Sequence, residues 1–155
     1  MKAHVQIRRA ASNRDLAKAF AIRMRVFVME QGVPEKIELD SDDQRAIHFL
    51  AFVSRRAVGT ARLVRQGSSV KVGRMAVLKS HRGKGVGRKL LQRAIAAAEN
   101  LGAKGIYLHA QVAVIGFYEK LGFRCVGPVF DEAAIPHRKM IYRAWKNNHK
   151  NRSGT

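Results

Sequence analysis

The chain has 155 residues, 46% of them apolar and only three of them proline, so it can bury one real core and does not read as disordered. Its 30 Lys and Arg against 11 Asp and Glu leave a net charge of +19, a field that attracts polyanions, but the cations are spread along the chain with no aromatic-interleaved basic stripe. The lone cysteine, Cys125, excludes an internal disulfide and a cysteine-based zinc site, and no apolar run is long enough to span a bilayer.

Val5 to Arg8 alternates as a strand does, and Ser12-Asn13-Arg14-Asp15 reads as a capping box with Ser12 as N-cap. Leu16, Ala19, Phe20 and Phe27 give a helical apolar face up to about Met29. Gly32 and Pro34 end that helix, and an acidic loop runs to Arg45. Ile47 to Ser54 is expected to be a central strand. It turns at Arg55-Arg56 into a partner at Val58 to Val64, although no Asn-Gly pair marks the hairpin. Gly67-Ser68-Ser69 is a turn before a strand at Val70 to Leu78. Val86, Leu90, Ala94, Ala97 and Leu101 share one helical face, closed by Gly102. A strand at Ile106 to Ala110 and a helix at Val112 to Leu121, ended by Gly122, come next. Phe123 to Val129 and Lys139 to Trp145 are expected to pair antiparallel across a polar loop. This order of elements is α+β rather than a repeated βαβ. One domain over residues 1–146 and a polar, basic tail over 147–155 are expected. The N-terminus lacks the apolar core of a signal peptide, which points to the cytoplasm.

Arg82-Gly83-Lys84-Gly85-Val86-Gly87-Arg88 lies between the strand at Val70 to Leu78 and the helix that follows. Glycines let the backbone approach a ligand, a helix start offers unpaired N–H groups, and the cations match negative charge. That is a polyphosphate cradle. A Walker loop is excluded because Lys84 is followed by Gly85 rather than Ser or Thr. The dinucleotide-binding fingerprint is excluded because the glycines alternate and fall halfway along the chain.

Arg82-x-x-Gly85-x-Gly87, after Met75-Ala76-Val77, resembles the acyl-CoA signature of the GNAT superfamily of N-acetyltransferases. Phe117-Tyr118-Glu119-Lys120-Leu121-Gly122-Phe123 resembles its second hallmark. The rest of the chain is similar to the narrower ElaA/YjcF-like branch, through Val26-Phe27-Val28-Met29-Glu30-Gln31, Glu38-Leu39-Asp40, His48, His109-Ala110-Gln111 and Ile135-Pro136-His137. The resemblance implies a mixed, mostly antiparallel sheet of about six to seven strands flanked by helices. The sheet would splay between Val70–Leu78 and Ile106–Ala110 to hold acetyl-CoA. Pantetheine would pair with backbone near Met75, Ala76 and Val77. The N–H groups of Arg82, Gly83, Lys84, Gly85, Val86, Gly87 and Arg88 would hold the pyrophosphate. Gln111 stands where most of the superfamily has Asn, as is usual in this branch.

Acetyl transfer needs a neutral amine, support for an oxyanion and a proton for the thiolate. The Val77 N–H is the candidate oxyanion donor. Through the resemblance Tyr118 becomes the candidate acid, and it also borders the cofactor; a phenol of pKa about 10 stays protonated at neutral pH. Four groups could serve as base: Glu30, Glu132, His109 and His137. His137 is placed first, for its ordinary pKa, and Glu30 second. Arg74, Lys79 and Arg88 could meet cofactor phosphates or simply be solvated. Cys125 reads as a small buried residue, and Trp145 as a packing residue.

Six of the 11 acidic residues fall within Glu30 to Asp43. They either pair with neighbouring arginines or receive a cationic amine such as a polyamine, an amino sugar or a lysine-bearing peptide. The leading expectation is an acetyl-CoA-dependent N-acetyltransferase acting on a small amine, with no metal and no membrane partner, and with a homodimer as the family prior. An acyl-CoA sensor without catalysis is the alternative, and a nucleic-acid binder a more distant one.

Overall fold

The computed structural model describes residues 4–142. Seven strands form one sheet in the order β1-β2-β3-β4-β5-β7-β6, with helices on both faces, as the α+β reading requires. They are β1 (Gln6–Arg9), β2 (Ile47–Val53), β3 (Arg56–Gln66), β4 (Ser69–Val77), β5 (Gly105–Gln111), β6 (Phe123–Glu132) and β7 (Ile135–Tyr142). The expected strand end at Trp145 and the tail lie outside the described residues.

The apolar alternation of the inner strands feeds two cores. Phe49 and Ala51 face helix α3 (Val86–Asn100), which buries Leu90, Leu91 and Ala94 over them. Leu50 and Phe52 face helix α1 (Asn13–Arg23), which contributes Ala19 and Ile22. Ser12 caps α1 by accepting from the Asp15 N–H at 3.1 Å, but only half of the expected box forms, because the Asp15 carboxylate accepts from Arg8 at 2.8 Å. Beyond α1 the chain does not continue as a regular α-helix. Met24–Glu30 widens into π-helical turns, and the four-residue helix α2 (Glu35–Glu38) follows.

All strand pairs are antiparallel except β4 with β5, whose connection crosses over through α3. This parallel ladder holds only from Ser69–Gly105 to Val72–Leu108. Both strands continue past it without pairing to each other. The cause is a bulge: Arg74 and Met75 on β4 oppose Ala61 alone on β3, and Arg74 takes a φ of 50°. The bulge bends β4 away from β5 and opens a wedge at the expected place.

Two hairpins differ from expectation. The β2–β3 turn falls at Ser54-Arg55, one residue earlier, with φ of 49° and 65°. Both values match the twist a two-residue hairpin needs, without the usual glycine. The expected polar loop before Lys139 is instead mostly strand. β6 bulges around Gly127-Pro128, where a missing N–H does no harm, then pairs again from Phe130 to Glu132. Ala133-Ala134, with φ of 52° and 61°, make a tight turn into β7. Ile135, Pro136 and His137 therefore begin a strand. The helix expected at Val112–Leu121 is a single tight turn at Val112–Val114 followed by helix α4 (Ile115–Glu119).

Candidate active site

The glycine run forms the start of α3. Gly83 and Gly85 take φ of 75° and 85°, a left-handed backbone that side-chain-bearing residues rarely adopt. No atom lies within 4 Å of where their Cβ would stand. Gly85 is the N-cap and supplies no side-chain cap, so the first N–H groups of α3 remain available to a ligand. Gly87 faces the ring of Phe117, whose Cζ would be 3.4 Å from an added Cβ, and this joins the loop to α4. Arg82 braces the loop. Its Nε donates to the Val77 carbonyl at 2.9 Å and its Nη2 to Glu30 Oε2 at 2.9 Å. Lys84 is exposed and its side chain lies off the groove wall.

A groove of about 600 Å³ runs from this loop through the β4–β5 wedge. Met75, Ala76 and Val77 line one wall, Phe117 and Tyr118 the other, and Gln111 and His137 stand further along. Gln111 Nε2 donates to Gln31 Oε1 at 2.8 Å, which ties the end of β5 to the segment after the π-helical turns. Tyr118 packs edge-on to Phe117, with ring centres 5.0 Å apart, and burial pushes its phenol up to about 12. It therefore carries its proton at neutral pH.

Three of the four base candidates converge; Glu30 does not join them. Glu30 is held by Arg82 and borders a separate, larger cavity of about 1200 Å³ against α1, among Lys18, Arg25 and Arg56. His137 is buried on β7, opposite Gln111 on β5 and Phe130 on β6. Its Nδ1–H donates to the Ile135 carbonyl at 2.6 Å, which turns Nε2 toward Glu132 Oε2 at 3.6 Å. His109 Nδ1 lies 3.3 Å from Glu132 Oε1. Phe130 packs between the imidazoles, edge-on to His109 and stacked on His137. The His109 hydrogen bond, outweighing burial, holds the Glu132 carboxyl down at about 2, helped by the positive field of Lys71.

The acidic segment is largely matched by arginines. Arg23, fully buried in α1, donates to Glu38 at 2.9 Å and to Asp43 at 2.7 Å. Arg62 donates to Asp40 at 2.7 Å and to Asp43 at 3.0 Å, while Arg74 reaches Asp40 at 3.1 Å. Asp42 pairs with Arg45. Burial alone would raise the Asp43 carboxyl, but hydrogen bonds from Arg23 and Arg62 bring it down to about 2. Burial pushes Glu38 up against the pull of Arg74 and Arg23. Of the two readings of this segment, the structure realises the internal pairing. Arg23, Arg62 and Lys71 were not singled out in the sequence. A charged residue on an inward-facing position, as Arg62 is between Ala61 and Leu63, is the signal that marks such a network.

A wedge opened between two parallel strands, a glycine-rich helix start at its mouth and a half-buried tyrosine on its wall define an acyl-CoA-dependent acyltransferase. The model described as "Acetyltransferase (GNAT) domain" matches residues 10–144, and the chain belongs to that family. YjcF of Bacillus subtilis (strain 168), described as an uncharacterized N-acetyltransferase, is 36% identical over 133 residues, 85% of this chain and 95% of the relative. Protein ElaA of Escherichia coli (strain K12) is 31% identical over 122 residues, 75% of this chain and 79% of its own. The crystal structure of Escherichia coli ElaA superposes with a TM-score of 0.79, 28% identity, 91% of this chain and 99% of that one. A Bacillus subtilis acetyltransferase solved in complex with CoA shares the fold at a TM-score of 0.63 and 21% identity, over 89% of this chain and 95% of that one. Among the described residues, no helix is long and apolar enough to cross a membrane.

Proposed function

We propose that the chain moves an acetyl group from acetyl-CoA to a primary amine by direct attack within a ternary complex. The observation that carries this reading is that the glycine-rich helix start, the splayed end of β4 and the protonated Tyr118 share one groove. The first N–H groups of α3 would hold the pyrophosphate. The open edge of β4 at Met75 to Val77 would pair with pantetheine. Leu78 N–H donates to Val58 on β3 at 2.8 Å, so by strand alternation the Val77 N–H faces the other way, into the wedge. There it can meet the thioester oxygen as the oxyanion develops. Tyr118 would then protonate the departing thiolate, and His137 is the proposed base.

The test is release of free thiol from acetyl-CoA across a library of cationic and anionic primary amines. Turnover with at least one amine class supports the proposal. Tight CoA binding with no turnover on any amine overturns it in favour of a non-catalytic acyl-CoA sensor.

A further inference from the structure

We infer that Glu132 is the seat for the acceptor's ammonium group, and that His137 Nε2 takes the proton this ammonium must lose. The inference rests on the acetyl-transfer reading above and deepens it by naming the acceptor class, a cationic primary amine, and the carboxylate that receives it.

Two acidic side chains line the groove, Glu38 and Glu132. Glu38 is closed off, with only 4% of its side chain exposed between Arg23 and Arg74. Glu132 has 43% of its side chain exposed and is met by imidazoles rather than by a guanidinium. The remaining charged lining is basic, with Arg62, Lys71, Arg74, Arg82 and Arg88 spread along it. Arg62, Arg74 and Arg82 are matched by Asp40, Asp43 and Glu30, so Glu132 is the groove carboxylate left open to an entering ammonium.

The imidazoles then have defined parts. His137 Nδ1–H is committed to the Ile135 carbonyl, so Nε2 is its one free ring nitrogen. A neutral His137 sets that lone pair 3.6 Å from a carboxylate oxygen, and a proton on Nε2 turns this into an attraction. The groups that set this balance are Glu132 on β6, His109 on β5 and Lys71 on β4. Lys139, two residues along β7, is held over the Tyr107 ring at 4.8 Å. Burial lowers the Lys71 ammonium, with Glu132 opposing that shift. His137 sits opposite Gln111, which places the proton acceptor beside the cofactor wall.

The step balances. The ammonium gives one proton to His137 Nε2. The freed nitrogen pair attacks the thioester carbon, a C–N bond forms, and the C–S bond breaks. The thiolate takes the Tyr118 proton, the second proton leaving nitrogen restores Tyr118, and His137 passes the first to solvent.

The test has two arms. In the first, n-butylammonium is titrated into the protein without cofactor while the His109 and His137 ring signals are followed by NMR. Both should move in the wild type and not in Glu132→Gln. In the second, Glu132→Gln should raise the amine KM about ten- to a hundredfold with the acetyl-CoA KM unchanged. Glu35→Gln, an exposed change in the acidic segment, should alter neither arm. Equal ring shifts in Glu132→Gln, or a raised amine KM in Glu35→Gln instead, would overturn the inference. The NMR arm needs no turnover, so its failure is distinct from failure of the acetyl-transfer reading.

Discussion

Gln111 and His137 are direct partners across the β5–β7 ladder, which sets a candidate cofactor contact and the candidate base on one rung of the sheet. Paired side chains at such positions are close neighbours on one face. His137→Ala should therefore lower kcat about 10²- to 10⁴-fold and leave the acetyl-CoA KM within about threefold. Steady-state kinetics with each substrate varied in turn checks this; an unchanged kcat would move the base elsewhere.

Tyr118→Phe keeps the ring packing against Phe117 and removes only the hydroxyl. The expected result is a fall in kcat of about 10²- to 10⁴-fold, with CoA affinity and thermal stability close to wild type. The phenol is held near 12, so the wild-type rate should show no loss of this acid as pH rises toward 10.

Gly85→Glu puts a carboxylate in front of the α3 N-terminus, at a backbone φ of 85°. Space around the new Cβ is open, so the fold should survive with a cost of about 1–2 kcal/mol from the left-handed backbone. CoA binding measured by calorimetry should be lost. Undiminished binding would remove the cradle from the site.

Gly59→Ala makes the opposite separation. An added Cβ would lie 2.9 Å from Leu90 Cδ1 and 3.0 Å from Val86 Cγ1, at the contact between β3 and α3. Overpacking there should cost about 1–3 kcal/mol in denaturant unfolding without removing any group proposed to touch the cofactor.

Arg23 anchors the buried ion network, and Arg23→Met should cost about 3–5 kcal/mol, because Glu38 and Asp43 lose their shared cation. The Asp43 carboxyl is held at about 2, below its ordinary 3.8. A depressed acid binds its proton more weakly in the folded state, so its stabilising contribution is complete above about pH 4 and is lost as pH falls toward about 2. Glu132, also held at about 2, loses its contribution in an overlapping window. Thermal unfolding followed across that range should show a falling midpoint, and Asp43→Asn should flatten the slope.

Much of the fold was legible because it is written in local periods. The helical face from Val86, the Ser12 cap, and the glycines that stop and start elements depend on residues a few positions apart. The glycine run and Phe117-Tyr118 were legible for the same reason, as each is a short contiguous stretch. The departures share a different cause. The π-helical turns after Arg23 carry no spacing signal of their own. The strand at Phe130 to Glu132 lies past Val129, in the stretch expected to be a polar loop, because its pairing with β7 resumes only beyond the irregularity at Gly127-Pro128.

By itself, the sequence determined the element order, the glycine-rich helix start, the helix that carries Phe117 and Tyr118 and the family they mark, because each rests on chemistry between near neighbours in the chain. Only the tertiary structure decided how charges and catalytic candidates were shared out. It matched the acidic segment to Arg23, Arg62 and Arg74, drew Glu30 away to Arg82, and brought Glu132, His109 and His137 together. Those pairings follow from sheet register and from one bulge on each of β4 and β6. Register is set by cross-strand packing between distant segments. The one extra residue in β4 turns the side chains beyond it to the other face, and the two extra residues in β6 set Phe130 opposite His137.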